Sequence, residues 1–92
     1  MIEQENNLKD VEDLKKLQLN KTLDLHGVKH EHVYSIVDKF VGQHILSKTT
    51  EIYIITGHSQ KMRGLVEYVA QDYDIRIQEE WMNPGKLILD LK

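Results

Sequence analysis

The sequence predicts a single α/β domain whose four strands and two helices follow one another in the order βαβαββ. Two observations predict this class: short β-rich runs alternate with longer segments of helical apolar spacing, and an Asn-Pro-Gly turn signal follows the third run. The chain has 92 residues, of which 40% are hydrophobic, which is enough for one modest core. We therefore expect one domain, residues 21–92, preceded by a separate N-terminal segment.

Residues 1–20 are this separate segment. An apolar residue recurs there every three positions, at Leu8, Val11, Leu14 and Leu17, which indicates a short helix with one narrow apolar stripe. Short helices are marginal in water on their own. We therefore expect a helical or flexible extension, and in its helical form it would dock on this protein's own sheet or on a partner protein.

The first half of the domain contains two strands joined by a helix. Residues 22–26 form the first predicted strand, which ends at a glycine. Apolar side chains spaced i, i+3, i+4 and i+7 then predict an amphipathic helix over about residues 29–47. The β-rich run at 52–55 predicts a second strand over residues 51–56, and helical spacing resumes over residues 62–73.

The second half of the domain ends in a hairpin. We predict a third strand over residues 75–81, a turn at 83–85 and a fourth strand over residues 86–91, with Trp81 in the core or at the hairpin edge. Two helical crossovers make the first three strands parallel, and the tight turn makes the fourth antiparallel. Because residues 87–89 are apolar on both faces, the fourth strand belongs in the interior of the sheet.

The predicted sheet has one covered face and one open face. Right-handed crossovers on a small, mixed four-stranded sheet place both helices on the same side. The opposite face is then half polar and available to a partner. Its side chains are Asp24, His26, Tyr53, Ile55, Arg76, Gln78 and Glu80.

The composition excludes several classes of protein. There is no cysteine, which excludes a disulfide framework and a thiolate metal site or nucleophile. No apolar run approaches the roughly 18–20 residues that span a bilayer. The polar, acidic start of the chain does not have the pattern of a secretory signal. We expect a soluble, cytoplasmic protein.

The charge balance sets a condition on any anionic ligand. The chain has 12 basic and 15 acidic residues, a net charge of −3. Residues 1–20 carry −2 of this, so the domain itself is nearly neutral. A domain that relies on bulk attraction to phosphate is usually basic, so phosphate binding here requires a local basic patch.

The first candidate site is the strand end Leu23-Asp24-Leu25-His26-Gly27. Alternation along a strand sends Leu23 and Leu25 to one face and Asp24 and His26 to the other. A carboxylate and an imidazole two residues apart form a compact acid–base or metal-binding pair. A structural alternative remains open: Asp24 accepts a turn N–H bond, and His26 orients the turn at Gly27.

The second candidate site, residues 54–59, again runs from a strand into a glycine loop at the start of a helix. Both loops lie where parallel strands end, the edge at which ligand sites of α/β sheets gather. A helix N-terminus favours phosphate, and Ser59 can cap this helix. Lys61 and Arg63 add local positive charge, unless both are simply solvated; His58 either contacts phosphate or is solvated.

In this order and spacing, the two motifs resemble those of the Smr (small MutS-related) domain. Residues 23–27 match the family's L-D-L-H-G strand end, and residues 56–59 match its T-G-x-G or H-G-x-G loop, with Ser59 at the second glycine. Residues 62–66 loosely match the family's L-R-x-x-V helix start, and residues 81–91 match its terminal hairpin. The resemblance covers about residues 21–92.

The resemblance implies a two-layer sandwich like the C-terminal domain of bacterial translation initiation factor 3. It also implies binding of RNA or DNA, ribosome-associated in some members, with endonuclease activity in several. Asp24 and His26 would be the catalytic pair, with Asp24 orienting the imidazole or holding Mg²⁺ or Mn²⁺. The residues that would bind nucleic acid are Gly27, Thr56, Gly57, His58, Ser59, Lys61 and Arg63.

Two alternatives to this function remain. The near-neutral charge and Ser59 favour a binding module without catalytic activity, which docks on nucleic acid, a ribosome or a protein. The second alternative is a small regulatory protein that docks through residues 1–20.

The roles of Tyr53 and of the histidines are separate questions. Tyr53 either stacks on a base or packs under the N-terminal segment. We predict no structural metal site, because His30 and His32 face different ways on a helix.

Overall fold

The computed structural model describes residues 20–92. It confirms the predicted βαβαββ order. The elements are β1 (Thr22–Asp24), α1 (His30–Leu46), β2 (Glu51–Ile55), α2 (Gln60–Asp72), β3 (Arg76–Glu80) and β4 (Asn83–Asp90). The helix expected within residues 1–20 falls on residues 1–19, outside this described part.

The four strands form one mixed sheet in the order β1-β2-β4-β3. β1 is parallel to β2, and β4 is antiparallel to both of its neighbours, so β3 is parallel to β1 and β2. The interior position predicted for the fourth strand is confirmed. The register places Ile54 between Leu23 of β1 and Leu87 of β4.

Both helices cover one face of the sheet and form the core with it. Alternate residues of β2 and β4 are fully buried there, as expected from the period of a strand. The helices supply residues at helical spacing, three of them valines of α1. The main core residues are Leu25, Val33, Val37, Val41, Ile52, Ile54, Met62, Val66, Val69, Ala70, Leu87 and Leu89.

The two helices are also joined by a reciprocal pair of hydrogen bonds. The Tyr34 hydroxyl of α1 donates to Asp72 Oδ2 of α2 at 2.8 Å, and the Tyr73 hydroxyl donates to Asp38 Oδ1 of α1 at 2.7 Å. The bond to Asp72 raises the pKa of Tyr34 to about 12, because the carboxylate stabilises the protonated hydroxyl. The pKa of Tyr73 is raised for the same reason by Asp38.

The end of the sheet opposite the glycine loops, here called the amino edge, contains a fully buried histidine, His44. Its Nε2 lies 3.0 Å from the carbonyl oxygen of Asn20, and its Nδ1 lies 2.9 Å from Thr49 Oγ1. A carbonyl can only accept, so Nε2 carries the proton. In the neutral ring, Nδ1 then accepts from the Thr49 hydroxyl. This ring links the chain before β1, the end of α1 and the segment before β2.

The predicted position of the hairpin turn is wrong. Trp81 and Met82 form the turn, whereas the tripeptide at 83–85 begins β4. Glu80 pairs with Asn83 but Glu79 pairs with Leu87, so the residues between them bulge out of the ladder. Trp81 is not in the core, since 71% of it is exposed. The physical reason is that Gly85 packs against Gly57 in the loop after β2 and so belongs to β4 rather than to the turn.

Within residues 20–92, no helix is long and apolar enough to cross a membrane.

Candidate functional site

The two glycine loops lie side by side at the carboxyl edge of the sheet. Asp24 and Ile55 are partners in the parallel ladder, and the Leu25 N–H donates to the Ile55 carbonyl at 2.9 Å. The chain continues from there into the loop that holds Gly27 after β1 and the loop that holds Gly57 after β2. Both glycines have positive φ, 81° and 67°, while a Cβ at either would meet no atom within 4 Å. Glycine is therefore required by backbone conformation rather than by space.

Asp24 stabilises the turn after β1. Its Oδ1 accepts the backbone N–H of His26 at 2.9 Å, and the Val28 N–H closes the turn on the Leu25 carbonyl at 3.0 Å. This is the arrangement named as the structural alternative for Asp24. Among residues 20–92, the carboxylate makes no hydrogen bond to the His26 imidazole. Asp24 therefore acts on His26 through the backbone, and the imidazole remains exposed without a protein partner in the described chain.

Ser59 caps the N-terminus of α2, as predicted. It has extended backbone angles, and its Oγ accepts the Met62 N–H at 3.1 Å. A helix start leaves its first N–H groups without helical partners, and this cap uses only one of them. The N–H groups of Gln60 and Lys61 have no acceptor within residues 20–92 and remain available to an external anion. The first turn of α2 has no acidic residue to oppose the helix dipole.

A cleft of about 210 Å³ lies in front of this helix start. Its volume is several times the roughly 30 Å³ that one water molecule occupies in the liquid, so it can hold a larger polar group. The helix terminus forms one side of the cleft and the hairpin forms the other. The lining residues are Gly57, His58, Ser59, Gln60, Arg63 and Pro84.

Gly85 of β4 fixes the backbone of the β2–α2 loop. Its carbonyl oxygen accepts the Thr56 N–H at 2.7 Å, the Gly57 N–H at 3.1 Å and the buried Thr56 hydroxyl at 3.3 Å. A Cβ on Gly85 would lie 3.2 Å from Gly57 Cα. Residue 85 must therefore be small for the hairpin to approach the loop. Sequence reasoning assigned this glycine to a turn and missed its role.

Arg63 contributes less free charge to the cleft than the sequence predicts. Its Nε lies 3.2 Å from Glu67 Oε2, and its second guanidinium contact is an ion pair with Glu79 of β3. Two carboxylates therefore offset one guanidinium. Lys61 is exposed and has no ion pair among residues 20–92. Of the two cations proposed from the sequence, Lys61 is the one with a charge that no described carboxylate balances.

The open face beside the cleft carries a second charged group. The Lys86 ammonium lies 3.2 Å from Glu80 Oε1 and 4.8 Å from the centre of the Tyr53 ring. Its hydrogen bond lowers the pKa of Glu80, with a further contribution from Asn83. The Tyr53 hydroxyl donates to Glu51 at 2.6 Å, which raises the pKa of Tyr53. Lys86 thus covers the ring that sequence reasoning offered as a stacking surface.

The remaining histidines do not converge on one point. His32 Nε2 lies 3.9 Å from Glu31 Oε2 at the exposed start of α1. Across residues 20–92, no group of three or more His, Cys, Asp or Glu side chains is placed to hold a metal ion. His58 lines the cleft, whereas His26 lies on the neighbouring loop.

Comparison with known proteins agrees with this architecture. A family model described as Smr domain matches residues 23–79, from the second residue of β1 to the penultimate residue of β3, and does not reach the hairpin turn. The crystal structure of YdaL, a stand-alone small MutS-related protein from Escherichia coli, matches with a TM-score of 0.70 and 17% sequence identity. The match covers 80% of this chain and 66% of YdaL, so the chain spans just under two thirds of that protein. No curated protein sequence matches significantly.

Proposed function

The chain belongs to the Smr domain family, and from that premise we propose that the carboxyl edge of its sheet binds RNA or DNA. One backbone phosphate occupies the cleft at the N-terminus of α2. The observation that carries this proposal is the capped helix start, which lies at the cleft beside the two glycine loops. Within residues 20–92, two of its N–H groups have no acceptor, and the exposed Lys61 adds positive charge to the first turn of α2.

Ser59 is compatible with phosphate binding in this loop. Glycine at this position of the family motif would permit a positive φ or a close backbone approach. Here Ser59 has φ −81°, so the loop does not need glycine at that position, and the hydroxyl is used as the helix cap. Gly57, held by Gly85, supplies the positive φ that the loop does need.

We further propose that His26 cleaves a phosphodiester bond of the bound strand. Its imidazole is exposed beside the cleft loop and has no described protein partner, so it is free to take a proton from the attacking oxygen or to give one to the leaving oxygen. Asp24 holds the turn that presents it. The single carboxylate of Asp24 supplies few of the oxygen ligands that Mg²⁺ or Mn²⁺ requires. We therefore assign the proton transfer to His26 alone. A cleavage assay with and without these ions tests whether the reaction depends on them.

The competing function is binding without cleavage. The pairing of Arg63 with Glu67 and Glu79, together with the net charge of −3, favours it, because a cleaving site gains from cations that stabilise the extra charge of the transition state. Docking on a ribosome or a protein through the same edge belongs to this alternative.

Binding is tested by fluorescence anisotropy with labelled single-stranded and duplex oligonucleotides over a range of salt concentrations. We expect affinity to fall as salt rises, and Lys61→Ala to reduce the slope of log affinity against log salt by about 1. The matched control is Lys39→Ala, an exposed lysine in the middle of α1. Affinity that does not depend on salt, or equal slopes for Lys61→Ala and wild type, would contradict phosphate binding at α2.

Cleavage is tested on the same RNA and DNA strands with and without Mg²⁺ or Mn²⁺. His26→Ala is expected to slow cleavage by about 10²- to 10⁴-fold, the usual contribution of a positioned acid or base. Its binding affinity and thermal midpoint should match those of the wild type. No cleavage by the wild-type protein under any of these conditions, or full cleavage by His26→Ala, would leave the binding module as the function.

A further inference from the structure

The tip of the β3–β4 hairpin exposes two large apolar side chains. Trp81 is 71% exposed and Met82 is 87% exposed. Two-residue hairpin turns usually hold Asn, Asp or Gly, because these residues tolerate positive φ. Met82 instead adopts φ 62° without a glycine. Residues that depart from the usual turn preferences and contribute nothing to the core are expected at functional positions.

The tip is continuous with the proposed phosphate cleft. Asn83 follows the turn and pairs with Glu80, and the next residue, Pro84, lines the cleft. The three residues of chain from Trp81 to Pro84 span at most about 10 Å, so Trp81 lies within that distance of the cleft lining. Trp81 lies outside the stretch, residues 23–79, that the family model matches.

We propose that Trp81 stacks on an unpaired base of the strand whose phosphate lies in the cleft. The inference rests on the proposed function and narrows its substrate to single-stranded or locally unpaired nucleic acid. An aromatic side chain stacks on any base that is free of its partner strand, whereas a base inside a duplex is already stacked. The indole is the largest ring in the chain, and unlike the Tyr53 ring it is covered by no lysine of residues 20–92.

The charges around the tip favour a base over a lipid surface. Segments that insert apolar side chains into an anionic membrane are flanked by Lys or Arg. Residues 79–84 contain neither. The two carboxylates of this segment are already paired, Glu79 with Arg63 and Glu80 with Lys86. The surroundings of the ring are therefore close to neutral, which suits the uncharged face of a base.

The size of the patch favours a base over a protein partner. A stable protein interface buries more than about 1,000 Å² in total. The other large exposed apolar side chains of the described residues, Tyr34, Ile45, Leu46 and Tyr68, belong to the two helices. They do not extend the tip, which presents one ring and one flexible thioether.

The chain contains one tryptophan and four tyrosines, so fluorescence excited at the red edge, where tyrosine does not absorb, reports on Trp81 alone. The full-length protein is titrated with an unlabelled single-stranded 12-mer, with the same sequence as a duplex, and with the same strand carrying abasic sites. We expect strong quenching by the single strand and weak quenching by the other two. Equal quenching by strand and duplex would overturn the selection for unpaired bases.

Affinities of variants are measured by anisotropy with a labelled single strand. Trp81→Ala is expected to weaken binding by about 5- to 100-fold, the range for loss of one stacked base, without a change in salt slope. Trp81→Phe should retain most of the affinity, which distinguishes stacking from a folding defect. The matched control, Tyr68→Ala, removes an exposed ring on the far half of α2 and should bind as the wild type does.

The two proposals fail in different ways. If Lys61→Ala weakens binding while Trp81→Ala binds normally and the fluorescence is unchanged, the stacking proposal is overturned and phosphate binding stands. If the wild-type protein binds neither strand nor duplex at low salt, the proposed function is overturned, and stacking with it.

Discussion

The two ends of the sheet each hold a histidine, in opposite environments. At the amino edge, His44 is fully buried and both ring nitrogens have partners, Asn20 and Thr49. At the carboxyl edge, His26 is exposed on a turn that Asp24 holds through the backbone. The difference shows how one residue type supports the fold at one end and is exposed to solvent at the other.

The same contrast applies to the backbone. At the amino edge the ring of His44 links three segments of chain, so that edge contributes to stability. At the carboxyl edge, the chain turns through two glycines with positive φ, and the N–H groups of Gln60 and Lys61 at the helix start have no acceptor within residues 20–92. Such N–H groups cost little folding free energy where water can hydrogen-bond to them, and they can donate hydrogen bonds to a bound anion.

The largest effect on stability is expected at His44. Replacing it by alanine leaves a cavity and removes two hydrogen bonds, so we expect the free energy of unfolding to fall by about 2–4 kcal/mol. Urea unfolding measures this change, and His26→Ala is the comparison, with an expected change near zero. At a temperature where His44→Ala remains folded, its affinity for oligonucleotides should equal that of the wild type. A folded variant that has lost binding would contradict the division between the two edges.

A smaller effect is expected at Gly85. Its Cβ would press on Gly57, 3.2 Å away, and overpacking of this kind costs about 1–3 kcal/mol. Because Gly57 must shift, Gly85→Ala should also weaken oligonucleotide binding. The matched control is Gly64→Ala, where a Cβ meets no atom within 4 Å and the helix gains up to about 1 kcal/mol. Wild-type binding by Gly85→Ala would show that the hairpin does not set the shape of the cleft.

The smallest effect on stability is expected from the tyrosine hydrogen bonds between the two helices, away from both edges of the sheet. The pKa of Tyr34 is raised to about 12 by Asp72, so between pH 10 and 12 the native state keeps a proton that the unfolded state loses. Stability should therefore fall as pH rises through this range, and the contribution is fully present below pH 10. Tyr73 and Tyr53 act in the same direction.

The contribution of Tyr34 to this pH dependence of stability is isolated by comparing urea unfolding of the wild type and Tyr34→Phe at several values of pH from 9 to 12. The variant should lose less stability over this range than the wild type does. Tyr68→Phe removes a hydroxyl that makes no hydrogen bond within residues 20–92 and serves as the control. Parallel curves for wild type and Tyr34→Phe would show that the bond to Asp72 does not form in solution. Neither variant should alter oligonucleotide binding.

Much of the fold could be predicted because its signals are local. The apolar run at 87–89 identified an interior strand, helical spacing identified both helices, and Ser59 was correctly identified as a cap. His44 continues the stripe of Val33, Val37 and Val41, so its burial was readable from helical spacing but was missed.

The hairpin could not be predicted because its register depends on a contact distant in sequence. Asn-Pro-Gly is a stronger local turn signal than Trp-Met, yet Gly85 is required against Gly57 in the β2–α2 loop, and the turn moves to Trp81 and Met82. The same limit applies to Arg63. Its pairing with Glu67 follows from i, i+4 spacing, whereas Glu79 reaches it only through the fold.

The central claim is that nucleic acid binds at the carboxyl edge and not at the amino edge. It is tested most directly by ¹⁵N-resolved NMR of the full chain, titrated with a single-stranded oligonucleotide. We predict that the amide signals of Gly57, Gln60 and Lys61 shift, while those of Thr49 and its neighbours do not. Shifts confined to the amino edge or to the outer surface of the helices would contradict the claim.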